Sequence, residues 1–185
     1  MTIAAVILAA GTGSRYVGPT HKLLAPFANT TVGGRAVAIA EAAQLDETIV
    51  VFGAVQFAVP ALVTVLHNVD FALGQATSLH LAIAHARRHG HSAIVVGLAD
   101  QPFITSQAWN SVANADATPI AVATYGGMRR NPVRLAASVW DFVPALGDEG
   151  ARSLMRLHPH LIAEVPCSGN PADIDTVEDL RRWNS

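Results

Sequence analysis

Leu8-Ala9-Ala10-Gly11-Thr12-Gly13-Ser14-Arg15 brings two glycines, two hydroxyls and a cation into eight residues. Glycines in such a run let successive backbone N–H groups turn toward an anion, and the Arg15 guanidinium adds charge, so the chemistry on offer is phosphate binding. The same glycines also suit a plain turn out of a strand. Charge placement favours the phosphate reading: the first acidic residue is Glu41, whereas Arg15, Lys22 and Arg35 all precede it, and Lys22 is the only lysine of the chain. A nucleoside triphosphate needs several donors and cations at once to leave bulk water. As a loop residue, Lys22 is expected to be exposed. Two familiar phosphate loops fail on spacing. A dinucleotide fingerprint needs a small residue where Tyr16 stands, and a Walker A loop needs Lys-Ser/Thr where Pro19 and Thr20 stand. A nucleophile elbow is excluded because no G-x-S-x-G occurs.

Asp100 ends the apolar run Ile94–Ala99 and is followed by Gln101-Pro102, which places its carboxylate at a strand's carboxyl end. Mg²⁺ in phosphoryl-transfer sites is commonly held by one or two carboxylates plus substrate phosphates, so Asp100 is the leading metal candidate. The competing role, capping the next helix, is better served by Thr105 or Ser106. Asp173 and Asp175 lie two apart in an extended segment before a Thr176-capped helix, hence on one side, where one of them can face the ligand. Glu178 and Asp179 are explained by the helix dipole alone. Asn68 and Ser78 bracket another loop that can read a base or ribose, although a turn with Ser78 as N-cap accounts for much of it. Arg129-Arg130-Asn131-Pro132 after Gly126-Gly127, and Asp148-Glu149 with Arg152, are polar stretches in a weakly charged chain. They suit an acceptor side, or else a solvated hairpin and an ordinary helix start. His85 and His89 have helix-face spacing, but no cysteine or acid flanks them, which disfavours zinc.

These residues need a frame. Ile3–Ala9, Thr48–Gly53, Val63–His67, Ala93–Leu98, Ile120–Thr124 and Leu161–Val165 read as strands buried on both faces. Between them, Arg35–Gln44, Ser78–Arg88, Ser106–Ala115, Ala136–Leu146, Gly150–Leu157 and Thr176–Trp183 read as helices. The alternation predicts an α/β domain with a mostly parallel sheet and helices on both faces, with ligands outside the strands' carboxyl ends. The 185 residues fit one domain, 1–185. With 51 % apolar and 14 % charged residues and a net charge of -2, disorder, a coiled coil and a nucleic-acid partner are all disfavoured. No 18-residue apolar run predicts a membrane span, and the one cysteine, Cys167, asks for no oxidising compartment. The expected location is cytoplasmic.

Four motifs in order resemble the molybdopterin-guanine-dinucleotide synthase-like nucleotidyltransferases, and within them the molybdenum cofactor cytidylyltransferases. They are Leu8-Ala9-Ala10-Gly11 through Arg15 to Lys22-Leu23-Leu24, then Gly97-Leu98-Ala99-Asp100-Gln101-Pro102, then Gly147-Asp148-Glu149-Gly150-Ala151-Arg152, and last Asp173-Ile174-Asp175-Thr176 with Glu178-Asp179-Leu180. The spacer between Arg15 and Lys22 is longer than the family's shortest form. The resemblance implies a Rossmann-like three-layer domain that binds a nucleoside triphosphate and Mg²⁺, with Arg15, Lys22 and Asp100 catalytic and the first loop, Asn68 and Ser78 on the nucleotide. It implies a second metal or substrate contact from Asp175, ahead of Asp173, and a molybdopterin-type acceptor near Arg130, Asn131, Asp148 and Arg152. Leu-Ala-Ala-Gly goes with cytidine in that family, which points to CTP, and a molybdenum hydroxylase is the candidate protein partner. The rivals are a guanylyltransferase for a small phosphorylated carboxylic acid and a non-enzymatic carrier of the pterin cofactor.

Overall fold

The computed structural model describes residues 1–183. Its strands are β1 (Ile3–Ala9), β2 (Pro26–Phe27), β3 (Thr30–Thr31), β4 (Glu47–Phe52), β5 (Thr64–His67), β6 (Ala93–Leu98), β7 (Ile120–Tyr125), β8 (Met128–Ala136) and β9 (Ile162–Pro166). The helices are α1 (Val32–Glu41), α2 (Gln75–Arg88), α3 (Ser106–Ala113), α4 (Ala151–Leu157) and α5 (Val177–Trp183). Seven strands form one sheet in the order β5-β4-β1-β6-β8-β7-β9, and β2 with β3 makes a small hairpin. Every pairing in the large sheet is parallel except those of β8, which runs antiparallel to both β6 and β7.

Successive residues of a strand point to opposite faces, and β1 uses this to serve two cores. Ala5, Ile7 and Ala9 join Val37, Phe52, Trp109 and Val112 on one side. Ala4, Val6 and Leu8 join Leu79, Ile83, Trp140 and Leu154 on the other. Helices α1 and α3 therefore cover one face while α2 and α4 cover the opposite one, giving three layers. This is the α/β arrangement that the alternation of elements predicts, with the Rossmann-like three layers that the family resemblance implies.

Two expectations about elements need correction. The predicted helix 136–146 is a six-residue 3-10 turn, Ala137–Phe142, which buries Val139 and Trp140. Strand β8 is absent from the sequence reading because Met128-Arg129-Arg130-Asn131-Pro132 shows neither alternation nor β-branched residues. It forms because Gly126 and Gly127, with φ of 57° and 79°, make a two-residue turn that folds the chain back on β7. Pro132 can donate no ladder hydrogen bond, and the register slips there, pairing Val122 with Val133 but Ala123 with Arg130. Asn131 is left outside the ladder and is free to turn toward the ligand side.

The strand order reverses between β1 and β6, since β4 and β5 lie beyond β1 on one side and β8 lies beyond β6 on the other. A crevice opens at such a switch point because the connections leaving neighbouring strands diverge to opposite faces. The loop after β1 and Asp100 after β6 both emerge there. Among the described residues, no helix is long and apolar enough to cross a membrane.

Candidate functional site

The segment after β1 crosses the crevice and is held by His21. The His21 ring accepts the Leu23 N–H at Nδ1 (3.2 Å), which leaves the proton on Nε2 to be donated to the Gly11 carbonyl at 3.1 Å. Burial lowers the pKa of this imidazole despite backbone hydrogen bonds to Gly11 and Thr12 that favour its charged form. One neutral ring thus ties both ends of the loop together and starts the 3-10 turn Lys22–Leu24.

Lys22 is not the exposed loop lysine expected. It is 9 % exposed, with Nζ 2.7 Å from Asp100 Oδ2 and 2.8 Å from Asp175 Oδ1. Burial opposes its charge, but the two carboxylates outweigh that and raise its pKa. Arg15 reaches the other oxygen of Asp175 at 3.0 Å from a largely exposed position. Asp175 arrives from the far side of the sheet because Ile174, with no exposed surface, inserts into the core and its N–H donates to the Asp100 carbonyl at 2.8 Å. Asp173 and Asp175 then flank Asp100. Asp175 turns to Lys22, while Asp173 Oδ1 accepts from Gln101 Nε2 at 2.6 Å. Loss of water, then the neighbouring Asp100 charge, raises the pKa of Asp173.

A cleft of about 360 Å³ is lined by Leu8, Ala9, Ala10, Gly11, Thr12, Gly13, Ser14, Arg15, Lys22, Ser78, Asp100 and Asp175, all singled out from sequence for the nucleotide or metal, by Asp148, expected on the acceptor side, and by Phe71 and Gln75. A second cavity of about 530 Å³ lies beyond Gln101, against Arg129, Arg130, Asn131, Arg152, Met155 and Asp173. Gln101 lines the second and Asp100, the residue before it, lines the first. The Gln101 amide gives one hydrogen bond to Asp173 and accepts another from Asn131 Nδ2 at 2.9 Å.

Three assignments shift. Asn68 does not line the cleft: its amide donates to Thr77 Oγ1 and Ser78 Oγ, each at 2.8 Å, and its oxygen accepts the Asp70 N–H, so it clamps the loop before α2. Ser78 is inside α2 rather than capping it, because the helix begins three residues earlier at Gln75. Asp148 faces the first cleft instead of the second cavity. The loop carrying it is drawn over by bonds from Ala76 N–H to the Gly147 carbonyl (3.0 Å) and from Gly147 N–H to that of Leu73 (3.4 Å). His21 and Gln101 were not assigned roles from sequence. Their adjacency to Lys22 and Asp100 was the available signal.

Asp100 Oδ1 is buried with no hydrogen-bond partner, and with Asp175 it offers carboxylate oxygens of the kind a hard divalent cation prefers. Among the described residues there is no group of three or more His, Cys, Asp or Glu able to hold a metal. The residues fit a hard divalent cation that takes its remaining ligands from phosphates and water.

Comparison with known proteins places the chain in a family with this fold. Purine catabolism protein PucB of Bacillus subtilis is 30 % identical, with 94 % of this chain and 92 % of that protein covered. Nicotine blue oxidoreductase of Paenarthrobacter nicotinovorans is 28 % identical over 97 % and 95 %. The crystal structure of Rv0371c from Mycobacterium tuberculosis H37Rv superposes with a TM-score of 0.83 at 28 % identity, covering 100 % and 99 %. The same protein in complex with manganese matches at 0.81 and 27 %, over 100 % and 98 %. Residues 5–164 match the model of the MobA-like NTP transferase domain, and with these relatives spanning nearly its whole length, the chain belongs to that family of nucleotidyltransferases.

Proposed function

We propose that the protein transfers CMP from CTP to the terminal phosphate of a molybdopterin-type acceptor and releases pyrophosphate. The observation that carries this reading is the pair of adjoining sites: a cationic-loop cleft ending at Lys22, Asp100 and Asp175, and an arginine-lined cavity just beyond Gln101. In the reaction, an oxygen of the acceptor phosphate forms a bond to the α-phosphorus and the bond from that phosphorus to the bridging β-phosphate oxygen breaks. The acceptor oxygen is already anionic near neutral pH, so no strong general base is required. What the chain supplies is position and charge. Backbone N–H groups of the 10–15 loop and the Arg15 guanidinium hold the phosphates, Lys22 meets the charge that develops on the leaving pyrophosphate, and Arg130 and Arg152 orient the acceptor phosphate. Mg²⁺, bound at Asp100 and Asp175, would supply further neutralisation of the triphosphate.

Family membership supports nucleotide transfer, the manganese complex of the relative supports a divalent metal, and Leu8-Ala9-Ala10-Gly11 supports cytidine. The reading places the reaction in the cytoplasm, with a molybdenum hydroxylase as the recipient of the product. It is tested by incubating the protein with CTP, GTP or ATP, Mg²⁺ and molybdopterin while following pyrophosphate. Release that requires both CTP and molybdopterin is the expected result. Release with GTP and a small phosphorylated carboxylic acid would assign the rival transferase. No release with any nucleotide, together with retained pterin binding, would assign a carrier.

A further inference from the structure

An ammonium and a divalent cation compete for the same oxygens. Lys22 Nζ lies between Asp100 Oδ2 and Asp175 Oδ1, at 2.7 and 2.8 Å, so it fills the space where a cation shared by these carboxylates would sit. Two positive centres cannot share that space without strong repulsion, since the Coulomb term grows as they approach and as water is excluded. With Arg15 on the second oxygen of Asp175, the two carboxylates already face two cationic side chains. Of the three neighbouring carboxylates, only Asp173, which turns to the neutral Gln101 amide, lacks a cationic partner and is left to attract a free metal ion.

We propose that Lys22 is a placeholder for the metal. In the nucleotide-free protein its ammonium occupies the cation position between Asp100 and Asp175. An arriving triphosphate draws the ammonium onto its own oxygens, and the vacated carboxylates accept the divalent ion that comes with it. The inference rests on the reading of the cleft as a metal–nucleotide site. It goes beyond that reading by making metal capture conditional on the nucleotide.

Two features favour an exchange of this kind over a fixed salt bridge. The backbone at Lys22 is pinned by the His21 ring, which bonds Gly11 on one side and Leu23 on the other, so the long side chain can pivot while its turn stays in place. The cleft loop lies on the same cavity wall, so the move needs no rearrangement of the sheet. Meanwhile Asp100 Oδ1, buried and unpartnered, keeps one oxygen that the lysine does not satisfy. A carboxylate fixed permanently in a salt bridge would ordinarily have both oxygens met.

Mn²⁺ is the probe, because the resonance of the free aqueous ion falls as it binds. Titrations are made without nucleotide on the wild type, Lys22→Ala, Lys22→Gln and the double variant Lys22→Ala/Asp100→Asn, with folding checked by circular dichroism. The expected result is Mn²⁺ affinity at least tenfold tighter in the single variants than in the wild type, with the gain lost in the double variant. With the Mn²⁺ held by the analogue alone subtracted, a non-hydrolysable CTP analogue should tighten Mn²⁺ binding to the wild type at least tenfold and to a folded Lys22 variant by less; the wild-type arm stands even if both lysine substitutions unfold. Equal or weaker Mn²⁺ affinity in a folded Lys22 variant, or an analogue that binds without tightening Mn²⁺, overturns the placeholder. Equilibrium dialysis of the analogue separates the two readings. If it does not bind the wild type, the nucleotide site itself is wrong, and the lysine comparison still decides whether Lys22 occupies the cation position.

Discussion

A lysine wedged between two carboxylates ties turnover to stability, and Lys22→Ala should lower both. Loss of a phosphate-directed ammonium is expected to cut turnover at least tenfold, in line with the few kcal/mol that preorganised charge contributes in such sites. Breaking a buried pair costs about 3–5 kcal/mol, but these carboxylates keep some water and Asp175 keeps Arg15, so a loss of about 1–2 kcal/mol is expected. Urea denaturation in a metal chelator measures the second effect and pyrophosphate release the first; unchanged turnover would remove Lys22 from the reaction. Base choice belongs to this scale too. Ala10 is 7 % exposed on the cleft wall, and a Cβ added at Gly53 would lie 2.8 Å from its methyl, so Ala10 has little room to retreat from a purine. A preference of at least tenfold for CTP over GTP in kcat/KM is expected, eroded by Ala10→Gly. Equal use of GTP by the wild type would refute the cytidine assignment. A preference untouched by the variant would move base recognition to the wall formed by Phe71, Gln75 and Asp148.

Between elements, the sensitive joint is where the 71–75 loop meets the 147–148 loop. Gly74 has φ of 112°, and a Cβ there would come within 2.6 Å of the Gly147 backbone. Gly74→Ala should therefore cost about 1–3 kcal/mol of stability. It should also raise the KM for nucleotide, because Phe71, Gln75 and Asp148 on these loops line the cleft. An unchanged KM with lowered stability would show that this wall does not touch the nucleotide. Much of the frame around this joint was legible in the sequence. Strands β1 and β6 have their predicted bounds because a strand buried on both faces is a continuous apolar run, and the glycine loop and Asp100 could be placed from those strands. Strand β8 could not be seen, since its pairing comes from a glycine turn and its neighbours rather than from its own arginine-rich sequence. Loop position alone suggests a place for Asn68 and Asp148, yet the direction of a loop side chain is decided by partners on other segments, here Thr77 of α2 for Asn68 and the Leu73 carbonyl for the Asp148 loop. Arg15, Lys22, Asp100 and Asp175 did converge: Asp100 emerges just after β6, Asp175 follows the buried anchor Ile174, Lys22 opens the 3-10 turn held by His21, and Arg15 reaches Asp175 from the loop.

Across the whole molecule, the end of the sheet away from the cleft has its own electrostatic tie. Glu47, at the start of β4, accepts from Thr64 (2.6 Å), His85 (2.8 Å) and His91 (2.7 Å), joining β4, β5, α2 and the turn before β6. Burial works against its charge, but these hydrogen bonds prevail and hold its pKa down at about 2, against an ordinary 4.5. A carboxylate with a depressed folded pKa stabilises fully above its unfolded value, and that stability is lost as pH falls from about 4.5 through about 2. Glu47→Gln should lower the urea midpoint at pH 6 and flatten its decline between pH 5 and 2.5, leaving kcat/KM at neutral pH unchanged. Parallel acid limbs for variant and wild type would show that Glu47 is not the group responsible. At the cleft end, the single lysine makes the whole chain a reporter on itself. An amine-selective acylating reagent finds one side-chain amine in this sequence, the ε-amine sealed between Asp100 and Asp175. Peptide mass mapping should show acylation at Lys22 that is slow in the folded protein and fast in urea, and the slow rate reads, without any engineered label, how often the cleft lets its lysine go.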